Sequence, residues 1–496
     1  MKPMPGAIAR QFGRLAGSAN SVSPLHLLAG VGAVLATLTV ATPYAFEAGG
    51  DNAFIALTIA AGLLTIVATH LAERAPAHRA LWLIFGLGIL LRAYVLLFDP
   101  LLSSDIYRYV WDGRVQAAGI NPYRYLPADE ALAFLRDGTI FPHINRADTA
   151  VTIYPPVAQF FFLIVTRIGE SVTMMRLAML GCESVTVTLI MLLLRRMNRP
   201  VTRVIAYLWH PLPLWEIANS GHVDALMVAL MLLGLWISLT GQALRGAVVI
   251  AFSALVKPYV VPVLAGIWRP WDLKMPLVVI AAIALCYLPY LSVGWGVLGF
   301  LTKGYLTEEG ISAGNDLWPL SLWRLVFGEH NGDVVAYVAI AALVLLFKGF
   351  SVARNPDRAI TSRLADINML LLLTLLLLSP NYPWYFLVVT PFVALCGSLP
   401  NWVVSIGALL LSEQLDWDFY IPRMVTKSIL FGGLLSAWAF MAWRARILRA
   451  AQTGSSPCAA QRNVFRRRSI RAAITSRSRA SAPRSPSVRR FAFIWK

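Results

Sequence analysis

The chain has 496 residues, of which 58% are hydrophobic and only 14% charged, a balance that excludes a soluble protein of this length and identifies a polytopic membrane protein. The net charge of +18 does not signal nucleic-acid binding, because residues 444–496 hold 13 arginines, Lys496 and no acid, leaving +4 for everything before them. That Ser/Ala/Arg-rich stretch reads as a disordered cytoplasmic tail lying near anionic lipid. Cys182, Cys286 and Cys396 fall in apolar runs and Cys458 in the tail, so the cysteines read as inert thiols without a disulfide framework.

In chain order, residues 1–23 form a basic N-terminus (Lys2, Arg10, Arg14) ahead of a retained anchor. Apolar runs of crossing length recur near 24–43, 52–71, 79–98, 174–194, 203–218, 223–241, 276–293, 332–349, 363–379, 384–398, 401–415 and 426–443. The expectation is an all-α bundle of about twelve transmembrane helices over 24–443, since open strands leave backbone groups unpaired in lipid. Arg74/Arg79, the RRMNRPVTR stretch at 195–203, Arg269/Lys274 and Lys348–Arg363 join the tail in the cytoplasm by the positive-inside rule. The connections 44–51, 99–173, 219–222, 294–331, 380–383 and 416–425 are then extracytoplasmic, with 99–173 a large first loop and 294–331 a second. Two segments resist a simple crossing. PPVAQFFFLIVTRIG (155–169) reads as an interfacial or dipping helix. The run 244–272 is broken by Lys257-Pro258 into two short helices meeting within the membrane, a re-entrant or broken pair.

The chemistry concentrates at the outer edge. In LLSSDIYRYVWDGRVQAAGINPYRY (101–125), helical spacing puts Asp105, Arg108, Tyr109, Asp112 and Gln116 on one face, and Gly119 with Pro122 ends the helix. Such a face suits a carboxylate kept ionised by a nearby arginine; the alternative is an Asp105–Arg108–Asp112 ion-pair ladder that only ties down the loop. HPLPLWEIANSGHVDAL (210–226) runs His210, Glu216, Asn219, His222 and Asp224 through the end of a helical hairpin, where ionisable groups are costly unless they face a cavity or one another; a His222–Asp224 pair is the structural reading. Lys257 suits a phosphate as a compact point charge, or else a carboxylate partner. SPNYPWYF (379–386) gathers Tyr382, Trp384 and Tyr385, serving as an interfacial aromatic belt or as a sugar-stacking surface. Asp416 and Asp418 form a lone D-x-D that could hold a divalent cation, Mg or Mn. No other cofactor is called for, since zinc, ATP and nicotinamide motifs are missing.

SSDIYRYVWDGRVQAAGINPY (103–123) resembles the acidic first-loop motif and G-x-x-PY turn of the GT-C glycosyltransferases, and TIYPPVAQFFF (152–162) resembles the Y-x-P-P/L segment closing that loop. The chain is most similar to their bacterial mannosyltransferase-like branch, glycosyltransferase family 87 and relatives, and distantly to the first mannosyltransferase of GPI-anchor synthesis, with LVKP and NYPWY as weaker landmarks. Where the eukaryotic pattern has two acids separated by one residue, only Asp105 matches and Tyr107 takes the second place. The resemblance implies a GT-C-like bundle in a bacterial inner membrane, with its active site facing outside the cytoplasm. It also implies inverting transfer of a hexose, mannose foremost, from a polyprenyl-phosphate-sugar donor to a lipid or glycan acceptor. Asp105 would be the base, with Asp112 taking over part of the second acid's duty; Arg108, Arg114 and Lys257 would hold the donor phosphate. Tyr107, Asn121, Tyr123, Tyr154, His222, Asp224, Tyr382, Trp384 and Tyr385 would bind substrate. The partners are membrane lipids and these substrates, with no nucleic acid. A transporter or flippase of a lipid-linked sugar is the rival reading; the absence of an internal repeat argues against it.

Overall fold

In the computed structural model the described residues are 23–298, 313–355, 358–412 and 423–452. The chain divides into two compact units, residues 1–435 and 436–496; the described part of the second is the end of one helix. Every regular element among the described residues is helical. The Asp416/Asp418 pair, most of the tail and part of the 294–331 loop lie outside the described residues.

Helix α1 (Pro24–Ala72) begins at Ser23, whose hydroxyl accepts the His26 amide, and breaks at Gly50 with φ 62° and ψ −156°. The two expected first spans are thus arms of one helical stretch, and the connection expected at 44–51 is itself helical up to the break. Then come α2 (Ala77–Val95), α3 (Asp105–Ala117), α4 (Pro156–Ile168) and α5 (Val172–Arg196). The single span expected at 203–218 does not form. Pro211 and Pro213 interrupt it, leaving a 3₁₀ turn at Val201–Val204, a helical turn at Ile205–Leu208 and a π turn at Leu214–Asn219. Protein covers this stretch on all sides, which permits irregular backbone at that depth. It joins α6 (Asp224–Leu239) through a bend of 118°.

The broken pair expected around Lys257 is present as α7 (Ala243–Ala254) and a 3₁₀ stretch, Pro258–Gly266, with Lys257 extended between them. There follow α8 (Lys274–Tyr287), α9 (Trp318–Phe327), α10 (Asp333–Ala353) and α11 (Ile360–Leu378), two short apolar helices, Pro383–Leu395 and Leu399–Leu411, and α12 (Arg423–Gln452). By length and composition, seven helices among the described residues can cross a membrane, or eight if the bent pair is one span. This is a polytopic membrane fold. Among the described residues α1 takes in two of the expected runs, and those at 384–398 and 401–415 fall largely on short apolar helices.

A buried ion pair locks the first helices together. Arg92 on α2 donates to both carboxylate oxygens of Glu183 on α5, at 2.7 and 2.6 Å, and to the Leu208 carbonyl at 2.8 Å. Helices α3 and α4 cross closely because residue 113 is glycine. A Cβ there would lie 2.6 Å from the Phe162 carbonyl and against the Thr166 hydroxyl, and the crossing is filled by Tyr109 stacked on Phe162 at 4.6 Å. Gly119, with φ 78°, turns the chain out of α3.

Candidate active site

Asp105 opens α3, and its carboxylate forms part of the wall of a cavity of about 1050 Å³. One oxygen accepts from the Asn145 amide at 3.0 Å and the other from the Tyr154 hydroxyl at 3.2 Å. Burial, and then the Asp105 charge, push the Tyr154 phenol well above its ordinary range, so it remains a donor. Each Asp105 oxygen keeps a lone pair for a substrate hydroxyl.

The arginine expected to sit on Asp105 goes elsewhere. Arg108 lines the cavity, but its guanidinium pairs with Asp112 at 2.9 Å and donates to the Ala150 carbonyl at 3.1 Å. Neither the Asp105–Arg108–Asp112 ladder nor direct support of Asp105 by Arg108 is formed. Asp112 is only 1% exposed and stands off the cavity wall. Besides Arg108 it accepts from the Thr152 hydroxyl and from Gln159 at 2.9 Å. With its lone pairs engaged it straps α3 to the 150–154 segment that presents Tyr154 to Asp105, which suits positioning, not proton transfer.

Three more of the expected residues make contacts within the protein. Arg114 donates to Asp137 and to Glu170, each at 2.6 Å, and to the Leu135 carbonyl at 2.9 Å, away from the cavity. Its guanidinium holds the Asp137 carboxyl well below the usual carboxylate range. Asn121 donates to the Tyr290 carbonyl and the Ser292 hydroxyl, each at 2.9 Å. Tyr123 is buried, donates to the Tyr154 carbonyl at 2.7 Å and packs edge-on against Tyr290. These two residues anchor the GINPY turn and hold Tyr154 from behind.

On the opposite wall, Lys257 pairs with Asp224 at 2.6 Å, and the Tyr259 hydroxyl donates to the other Asp224 oxygen at 2.8 Å. The ammonium faces the cavity beside the Tyr385 ring, 4.7 Å from its centroid. The His222 ring lies 3.2 Å from the Glu216 carboxyl, without hydrogen-bond geometry, and not against Asp224; both side chains are fully buried. The sequence motifs located these four ionisable groups but not their pairing.

Tyr382, Trp384 and Tyr385 all line the cavity. Trp384 is sandwiched, with Tyr382 at 4.4 Å on one face and His222 at 4.2 Å on the other, so it props the wall instead of offering a free face to a sugar. Lys427 of α12 fixes this loop by donating to the carbonyls of Ser379, at 2.7 Å, and Asp316, at 2.6 Å. Tyr107 lies on the wall stacked against His143 at 4.7 Å, an aromatic platform beside Asp105. His143, Asn145, Arg146, Tyr337 and Arg423 also line the cavity and do not stand out in the sequence. INRAD (144–148) carries no apolar period, and α10 reads as a plain lipid span.

Among the described residues, no three His, Cys, Asp or Glu side chains gather as a metal site requires. The cavity is lined by polar and apolar residues together. Val338, Ala341, Ala342 and Leu345 of α10 line it together with Leu377 and Leu378, and no residue in the most apolar stretch of α10 is buried inside the protein.

Residues 17–271 match the family model of the alpha-(1->6)-mannopyranosyltransferase N-terminal domain. The chain belongs to this family. It is accordingly a mannosyltransferase-family glycosyltransferase of GT-C-like type. The match takes in Asp105, Arg108, Tyr154, Asp224 and Lys257, while Tyr382, Trp384, Tyr385 and Arg423 lie beyond it. Searches of curated proteins and of solved structures find no match to the chain.

Proposed function

We propose that the chain transfers mannose from a polyprenyl-phosphate-mannose donor to a hydroxyl of a lipid or glycan acceptor, on the extracytoplasmic side of a bacterial inner membrane. One observation carries this reading: Asp105 lines a cavity that is also lined by an apolar face of α10, of the kind acyl and isoprenoid chains cover. A nucleotide sugar has no use for that wall; a sugar on a lipid phosphate does.

The chemistry follows from the geometry. Asp105 takes the proton of the acceptor hydroxyl as its oxygen bonds to the anomeric carbon. The bond from that carbon to the phosphate oxygen breaks, and the electron pair leaves with the polyprenyl phosphate, which requires a nearby cation. Asn145 and Tyr154 hold the carboxylate with its lone pairs toward the cavity, and the Tyr107–His143 pair supports the acceptor sugar. A single in-line displacement inverts the anomeric centre. If the product is the α-(1→6) linkage of the family description, the donor must be β-configured and the attacking group a primary hydroxyl.

The test is transfer of labelled mannose by the purified protein from polyprenyl-phosphate-mannose, set beside a nucleotide-activated mannose. Transfer from the lipid-linked donor alone, to an acceptor carrying a free primary hydroxyl, is the expected result. Transfer from the nucleotide sugar alone would refute the reading.

A further inference from the structure

Transfer from a lipid phosphate leaves a dianionic group in the cavity, whose wall carries the cations Arg108, Arg146, Lys257 and Arg423. Arg114 is off the wall, bound to Asp137 and Glu170. Arg108 is on the wall but neutralised by Asp112 at 2.9 Å, and Lys257 is neutralised by Asp224 at 2.6 Å. Arg423 differs from all three. It begins α12, is half-buried and lines the same cavity, and among the described residues no carboxylate pairs with it.

Its guanidinium has an aromatic neighbour. The guanidinium lies over the Tyr382 ring, 5.8 Å from the centroid. Tyr382 stacks on Trp384 at an interplanar angle of 5°, and Trp384 stacks in turn on His222, which is fully buried. A guanidinium beside an aromatic ring retains planar N–H donors that match two oxygens of a phosphate. Its place at the end of an apolar helix of spanning length is where an arginine side chain reaches the headgroup level.

We propose that Arg423, seated on the Tyr382–Trp384–His222 column, is the principal phosphate-binding residue of the cavity. The phosphate is that of the polyprenyl donor and of its leaving group, so this assignment rests on the function proposed above. It also explains why Trp384 is sandwiched, since the aromatic column holds a cation where the leaving group forms.

The test uses the full chain in lipid nanodiscs and measures binding of polyprenyl phosphate and of the uncharged polyprenol of equal length. Wild type should prefer the phosphate. Arg423→Gln should lose that preference by roughly tenfold or more, the order expected for a charge-assisted bidentate contact, while polyprenol binding stays unchanged and so reports an intact fold. Arg423→Lys should retain part of the preference, and Arg245→Gln, at an exposed arginine on α7, all of it. Inorganic phosphate should compete only weakly; efficient competition would overturn the lipid headgroup as the ligand. An undiminished phosphate preference in Arg423→Gln would overturn the assignment and leave the donor reading standing. A wild type that does not distinguish phosphate from alcohol would refute the donor reading itself.

Discussion

Asp105 and Asp112 stand two helical turns apart on α3, and the proposed function gives them different roles that one pair of substitutions separates. Asp105→Asn removes the proposed base but not the shape. The carboxylate receives two hydrogen bonds, from Asn145 at 3.0 Å and Tyr154 at 3.2 Å; an amide keeps one of them, so the fold loses about 1 kcal/mol. Losing a positioned general base lowers turnover by about 10²–10⁴-fold, which is about 3–5 kcal/mol on the barrier. Asp112→Asn is the reverse case. It leaves Arg108, 6% exposed, facing a neutral amide, and breaking one side of a buried pair costs about 3–5 kcal/mol. Turnover per folded molecule at matched temperature and thermal unfolding in the same detergent are the two readouts. Asp105→Asn should be nearly inactive with a melting temperature close to wild type. Asp112→Asn should melt markedly lower while its folded fraction keeps substantial activity. Activity of Asp105→Asn within tenfold of wild type, or an inactive Asp112→Asn of unchanged stability, would show that the two roles are reversed.

Three further outcomes follow from the same geometry. Tyr154→Phe removes one of the two donors that aim Asp105, and kcat should fall by roughly tenfold with little change in acceptor KM; an unchanged kcat would remove Tyr154 from the positioning machinery. Lys257→Met strands the buried Asp224 with only the Tyr259 hydroxyl and should destabilise by about 3–5 kcal/mol, whereas Lys257→Met/Asp224→Asn should recover most of that melting temperature; a double variant no better than the single would contradict the pairing. Gly113→Ala places a Cβ 2.6 Å from the Phe162 carbonyl and should cost about 1–3 kcal/mol by forcing α3 and α4 apart, with wild-type stability the result that denies a close crossing.

What the sequence disclosed and what it hid divide along a physical line. Local features were legible: the helix from Asp105 ends where Gly119 and Pro122 place its stop, and Lys257-Pro258 breaks its segment as expected. Those features depend on backbone geometry within a few residues. Partner choice depends on residues brought from far along the chain. Arg108 shares a helix face with Asp105, yet its ion pair goes to Asp112, and that choice is stabilised by Ala150, Thr152 and Gln159, some 40 residues on. His222 sits two positions from Asp224, but the bend between Pro211–Asn219 and α6 turns it to Glu216 and leaves Asp224 for Lys257. The layout of the spans was hidden for a related reason. Hydropathy registers that a segment avoids water, not whether lipid or protein covers it, and the irregular stretch around Pro211 is apolar because protein covers it. Arg423 is inconspicuous on the same ground, since a single arginine at the head of an apolar run reads as a topology mark. Its place on the cavity wall, over the Tyr382 ring, appears only in the folded chain.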